Sequence, residues 1–341
     1  MMRSSLEAHL RAFAGEDPLR NDIAEAVRQL AVAAIKLRGV IMEKPAGAPA
    51  PTPAATNAAG DLQTWLDIEA DRIFTAAAWQ ANIAVMASEE RPEPLPMHAG
   101  GTLALAIDPL DGSSNIETNA SIGSIFSLLP ADGEAPFSQP GRNQLAAGTI
   151  VYGPRCQMIL TLGRGTLTFT YAPSFGGFVE EARSAPIPEK TSEFAINASN
   201  YRHWDEEVRL YVDDCLAGAE GPRGREFNMR WTASLVAELS RILARGGVFL
   251  YPADARRPYR DGRLRQLYEA NPVAFIVEQA GGAATDGIRH ILDTAPATLH
   301  QRTPFVFGSA HEVQRIARYL TDPSAIGERS PLFGRRSLFR A

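Results

Sequence analysis

Residues 102–107, Thr-Leu-Ala-Leu-Ala-Ile, form an apolar run of strand length that the chain breaks at once with Asp108, Pro109, Leu110, Asp111, Gly112, Ser113 and Ser114. Two ionised carboxylates held close together cost free energy unless a cation neutralises them, and oxygen-rich ligands suit Mg2+ or Mn2+. Pro109 sets a rigid turn that lets Asp108, the Leu110 carbonyl and Asp111 converge, while Gly112, Ser113 and Ser114 offer backbone N–H groups to an anion. A cation seat beside an anion seat is what phosphoryl chemistry requires: metals neutralise phosphate oxygens while donors hold the group in line with its attacker. Hydrolysis of a phosphate ester is the reaction class this implies.

A second apolar run, 82–88, ends in Glu89 and Glu90. Successive residues of a strand point to opposite sides, so one of the pair can bind metal while the other activates water. In isolation, an acid pair after a strand also reads as the start of a solvated loop, and the 108–111 pair as a simple turn. The two together argue for a site.

At 341 residues the chain has room for two packed units, and its 45% hydrophobic and 21% charged content is ordinary globular usage. We expect an N-terminal domain over 1–190, a C-terminal one over 191–322 and a loose basic tail over 323–341. Lys and Arg total 34 against 39 Asp and Glu, so there is no electrostatic footprint for a nucleic-acid backbone or an anionic membrane. Cys156 and Cys215 are too few for a disulfide framework, which fits a reducing interior. Without a signal-peptide core or an apolar run of ~18 residues, the expectation is a cytoplasmic protein. No P-loop, dinucleotide fingerprint, serine-hydrolase elbow or zinc-helix motif occurs, and no two of the six histidines stand at ligand spacing.

Ile23, Val27, Leu30, Ala34 and Leu37 recur at helical spacing, predicting a helix over 20–43. The uncharged, proline-broken stretch 45–60 reads as a mobile loop, and 61–80 as a second helix carrying Asp61, Asp67, Glu69 and Asp71. Further strands are expected at 122–129, 146–152, 157–162 and 166–171, the last two joined by a Gly-Arg-Gly hairpin. The second half alternates: strand 193–197, helix 204–216, helix 232–244 and strand 248–251, a layered α/β pattern. Asn271 reads as the cap of a helix with Pro272 at its first position, and Ser309 with Glu312 as a capping box for the last one.

Carried by these residues, the chain resembles the class 1 fructose-1,6-bisphosphatases, within the metal-dependent sugar phosphatase superfamily that includes inositol monophosphatase. The likeness runs from about residue 20 to 320 through "SEE" (88–90), "DPLDGSSNI" (108–116), "GGVFLYPA" (246–253), "LYEANPVAFIVEQAGG" (267–282) and "TLHQRTPFVFGS" (298–309). It implies an αβαβα sandwich of the sugar phosphatase type and hydrolysis of the 1-phosphate of fructose 1,6-bisphosphate. It also implies two or three Mg2+ ions, with Mn2+ as a substitute, on Glu89, Asp108, the Leu110 carbonyl, Asp111 and Glu269. Glu90 matches the water-activating carboxylate, and Asp67 and Asp61 the helpers beside a lid at 45–60. Asn197, Tyr251, Arg263 and an Arg230 reaching across from a neighbouring subunit match the grip on the distal phosphate, which implies a homo-oligomer, a tetramer by family likeness. Arg263 stands where the family has Lys, and Trp231 where it has Tyr, so sedoheptulose 1,7-bisphosphate is a rival substrate. An inositol-type monophosphatase and a non-catalytic sugar-phosphate sensor are more distant rivals. Thr102 and Leu103 occupy the Lys-Tyr pair of the family's nucleotide-inhibition site, so AMP inhibition is not expected.

Overall fold

A computed structural model describes residues 4–43, 64–133, 135–181 and 186–322. The expected loop at 45–60, Asp61 and the tail after 322 lie outside the described residues.

Among the described residues, seven α-helices each begin or end where local chemistry allows. Ser5 accepts the Ala8 N–H to start α1 (Leu6–Ala14), and Asp17 accepts the Arg20 N–H ahead of Pro18 to start α2 (Pro18–Met42). Thr64 and Asp67 form a reciprocal capping box for α3 (Trp65–Ala78). The others are α4 (Glu206–Leu216), α5 (Leu235–Arg245), α6 (Asn271–Gln279) and α7 (Ala310–Thr321).

An eight-stranded sheet takes β1 (Ile83–Ser88), β2 (Leu95–Pro96), β3 (Leu103–Asp111), β4 (Ile122–Pro130), β5 (Ala146–Tyr152), β6 (Cys156–Thr161), β7 (Thr166–Ala172) and β8 (Gly177–Glu180). Its order is β2-β1-β3-β4-β5-β6-β7-β8; β1 and β3 run parallel and every other neighbouring pair is antiparallel. A five-stranded sheet, β10-β9-β11-β15-β13, uses β9 (Glu193–Ala195), β10 (Asn228–Arg230), β11 (Val248–Tyr251), β13 (Ala283–Thr285) and β15 (Phe305–Gly308). The short β12 (Leu264–Arg265) and β14 (Arg302–Thr303) pair separately.

The period-two rule of strands sorts the second sheet's side chains between two cores. Phe249, Phe305 and Phe307 join α5, α6 and the inner face of the first sheet at Ile125, Ala147 and Ile159. Val248, Leu250 and Val306 point the other way, onto Val208 and Tyr211 of α4 and Val313 and Ile316 of α7. The outer face of the first sheet, including Leu105, Ile107 and Phe126, is covered by α1, α2 and α3. The layers therefore run α/β/α/β/α, as the αβαβα expectation requires.

Three local expectations are corrected. The strand at 102–107 does not stop before Asp108: β3 continues to Asp111 with all nine residues buried. Asn271 caps nothing, because its N–H bonds the Gln266 carbonyl five residues back in a π-type turn that already leads into α6. Ser309 and Glu312 make no capping box. The serine Oγ accepts the Gly247 N–H at 3.2 Å, and Glu312 is claimed by Arg223 and Arg225. Helix α1 and the strands β2, β8, β10, β12, β13, β14 and β15 were not anticipated.

Candidate active site

β1 ends at Ser88, and the Glu89 N–H then donates to the Ile107 carbonyl at 3.0 Å, which sets Glu89 and Glu90 beside the point where Asp108 begins. On β3 the ladder to β4 pairs Asp108 with Ile125 and Asp111 with Gly123, three steps against two. Residues three apart in a regular strand face opposite sides, so this one-residue bulge turns both carboxylates to the same side. Pro109 is tolerated inside the strand because the bulge asks no ladder N–H of it. Its carbonyl accepts a hydrogen bond from Ser124 Oγ at 2.8 Å, and the Tyr152 hydroxyl stands 3.1 Å behind that serine oxygen. The convergence expected from a proline turn is thus produced by a bulge.

Asp111 is held from the far side by the first turn of α5. The Val236 N–H and the Ser234 hydroxyl donate to its Oδ2 at 3.2 and 3.4 Å. That helix start comes close because the residue opposite Asp111 is Gly123, where an added Cβ would lie 2.5 Å from Val236 Cγ2. Asn115 Nδ2 donates to the Thr232 and Ala233 carbonyls, pinning the turn into α5, in which Ala233 takes a left-handed φ of 55°. Gly112, at φ +78°, makes the left-handed step that starts the short turn of Ser113 and Ser114.

Glu269 arrives from the π-type turn Gln266–Ala270, and its Oε2 accepts the Arg265 N–H at 2.5 Å. One carboxylate oxygen each from Asp108, Asp111 and Glu269 lies within 4.8 Å of the others, all three residues being buried. Burial first, and then the neighbouring Glu89, push Asp108 and Glu269 well above the usual carboxylate range. Asp111 rises to about 6 for the same first reason, with the Val236 N–H pulling the other way. A set of crowded, desolvated, all-oxygen donors is suited to a hard divalent cation, which relieves the repulsion that raises these values. The residues present therefore fit such an ion.

These three line one cavity of about 330 Å³ together with Glu89, Glu90, Leu110, Gly112, Ser113 and Ser114. Asp67, Tyr251 and Arg263 line it as well. Asp67 is buried, accepts the Thr64 N–H on Oδ2 at 2.5 Å, and has its pKa raised by burial; its Oδ1 has no hydrogen-bond partner among the described residues. Two expected residues are not brought to this cavity. Asn197 accepts from the Ser199 N–H and hydroxyl, and Arg230, at the edge strand β10, faces Glu193 at 3.6 Å. Asp61 lies outside the described residues. Sequence reading missed Arg265, Tyr259 and Arg302, which also line the cavity. Arg265 carried a signal, since it stands four residues before Glu269 and two after Arg263.

A family model for the fructose-1-6-bisphosphatase N-terminal domain matches residues 28–182, and one for the C-terminal domain of the same enzyme matches 187–321. The class 1 fructose-1,6-bisphosphatase of Rhizobium meliloti (strain 1021) is 55% identical over 349 aligned residues, covering 100% of both chains. That of Paracoccus denitrificans (strain Pd 1222) is 52% identical, covering 95% of this chain and 98% of its own. The holo-form crystal structure of Leishmania major fructose-1,6-bisphosphatase matches with a TM-score of 0.86 at 30% identity, over 94% of this chain and 99% of that one. By sequence along its whole length, and by fold, this chain belongs to the class 1 fructose-1,6-bisphosphatase family.

Proposed function

We propose that the chain hydrolyses the 1-phosphate of D-fructose 1,6-bisphosphate to fructose 6-phosphate and phosphate, in a reaction that depends on a divalent metal. The observation that carries this reading is the meeting of Asp108, Asp111 and Glu269 in the same cavity as Tyr251 and Arg263, acids and phosphate-gripping groups from both halves of the chain.

Glu89, Asp108, the Leu110 carbonyl, Asp111 and Glu269 would hold two or three ions, Mg2+ first and Mn2+ as a substitute. When bound, such ions neutralise charge on the transferring phosphoryl group and ease deprotonation of water. Glu90 takes the proton of the attacking water, with Asp67 and Asp61 assisting its transfer. Backbone N–H groups of the Gly112–Ser114 turn cradle the phosphate at the reacting end. Arg263 and Tyr251 grip the distal phosphate, binding energy that positions the ester for attack. Asn197 and Arg230 belong to the same grip in this proposal. Arg230 is exposed and outside its own chain's cavity, which supports a role in a neighbouring copy and hence a homo-oligomer, a tetramer. The proposal includes a domain division near residue 190 and a cytoplasmic setting, in keeping with Cys156 and Cys215 as buried free thiols.

The test is a panel of fructose 1,6-bisphosphate, sedoheptulose 1,7-bisphosphate and inositol 1-phosphate, assayed for phosphate release with Mg2+. The highest kcat/KM on the first supports the proposal. A preference for either of the others, or no release from any, overturns it.

A further inference from the structure

We propose that Tyr259 is a positioning residue: its ring is the platform that holds the Arg263 guanidinium ready for the distal phosphate. The inference rests on the reading of this chain as a sugar bisphosphatase and adds to that reading a residue outside its expected grip.

The Arg263 guanidinium carbon lies 3.6 Å from the Tyr259 ring centre, and 5.4 Å from that of Tyr251. A second guanidinium, Arg256, stands 5.0 Å from the Tyr259 ring. Both arginines share one buried carboxylate. Asp254 accepts the Arg256 backbone N–H and Nε, each at 3.0 Å, and its Nη2 at 2.5 Å, while Arg263 Nη2 approaches only to 3.4 Å. The nearer arginine takes most of that carboxylate's capacity and is itself tied to Asn200 Oδ1 at 2.7 Å. Asp254, held down to about 2 by these contacts, stays charged. Two positive groups on one negative group leave a surplus positive charge, and Arg263 is the one of the two that lines the cavity with the metal-type acids.

The loop that carries the ring is itself built. The Tyr259 carbonyl accepts the Asp254 N–H at 3.1 Å, closing the turn at its base. Gly262, at φ +88°, lets the chain pass so near β14 that an added Cβ would fall 2.1 Å from the Thr303 carbonyl carbon.

Tyr259 also lines a second, wider cavity of about 1010 Å³ beside the first, so its ring forms part of the wall of each. A long arginine side chain loses much rotamer freedom when fixed, and stacking it in advance moves that cost out of the binding step. Truncating the ring removes the platform and lets Arg263 swing toward the wider space.

The test uses the full chain with Mg2+, titrated calorimetrically with fructose 6-phosphate, which keeps only the distal phosphate, for wild type, Tyr259→Phe, Tyr259→Ala and Asp254→Asn. Melting temperatures are recorded for each. Loss of this half-buried cation–π contact predicts about fivefold weaker binding in Tyr259→Ala and wild-type binding in Tyr259→Phe, with a smaller loss in Asp254→Asn. Equal binding by Tyr259→Ala at an unchanged melting temperature overturns the proposal. So does an equal loss in Tyr259→Phe, because the ring would then not be the determinant. If Tyr259→Ala unfolds, Tyr259→Leu takes its place under the same criteria. Binding is read without turnover, so a wild type that binds and obeys this pattern but releases no phosphate from the bisphosphate sinks the proposed reaction and leaves this inference standing. A wild type that does not bind sinks both.

Discussion

Arg265 Nη2 stands 3.3 Å from a carboxylate oxygen of Glu89, and the backbone N–H of the same arginine donates to Glu269 at 2.5 Å. One arginine, its side chain 8% exposed, thus ties two acids of the cluster to each other. The acidic pocket carries its own partial counter-charge before any cation arrives.

Arg265→Met removes that counter-charge from a desolvated pair, a change that costs about 3–5 kcal/mol when the partner is left buried. Arg265→Lys keeps the charge and loses the planar fork, so its loss is smaller. Urea denaturation of the chelator-treated protein measures both. An unchanged midpoint in Arg265→Met would show that the pair does not hold the pocket together.

The raised pKa of Asp111 fixes a pH dependence. Its folded value of about 6 lies above the ordinary 3.8, so the folded state binds more protons between the two, and stability falls as pH rises through that window. Asp111→Asn removes this penalty: without metal, the variant should match wild type near pH 4 and exceed it at pH 7 by on the order of 2 kcal/mol. Excess Mg2+ should reverse that ranking, since only wild type keeps the ligand. Melting curves at both pH values decide it, and a variant less stable than metal-free wild type at pH 7 contradicts the account.

Gly123→Ala places a Cβ 2.3 Å from the Ile150 carbonyl oxygen and 2.5 Å from Val236 Cγ2. Overpacking of this kind costs about 1–3 kcal/mol. Here it also pushes the start of α5 away from Asp111, so the Mg2+ concentration for half-maximal rate should rise along with the loss of stability. A stability loss with an unchanged Mg2+ requirement would separate α5 from the carboxylate it touches.

Ser124→Ala leaves the Pro109 carbonyl and the Tyr152 hydroxyl buried without this partner, a cost of about 1–3 kcal/mol. Because Pro109 sits in the bulge between Asp108 and Asp111, the Mg2+ requirement should rise severalfold while kcat at saturating Mg2+ changes little. Ser124→Thr restores the hydroxyl and should restore both values. A fall in kcat that saturating Mg2+ cannot recover would place Ser124 elsewhere in the mechanism.

Asp108, Asp111, Glu89 and Glu90 were legible because two acid pairs, each directly after an apolar run, argue together for a site that neither argues for alone. The bulge that makes Asp108 and Asp111 cooperate was not legible, since it exists only in the register with β4. The Asn271 cap failed because the chain is already wound before that residue, in a turn whose Gln266 carbonyl takes the Asn271 N–H. Ser309 and Glu312 failed for a related reason: their partners, Gly247, Arg223 and Arg225, are distant in sequence and win over a local cap. α1 showed its pattern in Leu6, Leu10 and Ala14, a single buried stripe at four-residue spacing, but nine residues give that pattern little length. Arg265 was readable only as a basic residue near an acid, and its burial against Glu89 comes from the fold.

The most direct test is phosphate release from fructose 1,6-bisphosphate by the purified chain after chelation, followed by titration with Mg2+. The account predicts no turnover in chelator, recovery on adding Mg2+ in excess, and no recovery in Asp108→Ala. Turnover that survives chelation, or that Asp108→Ala recovers at the same Mg2+ concentration as wild type, would contradict it.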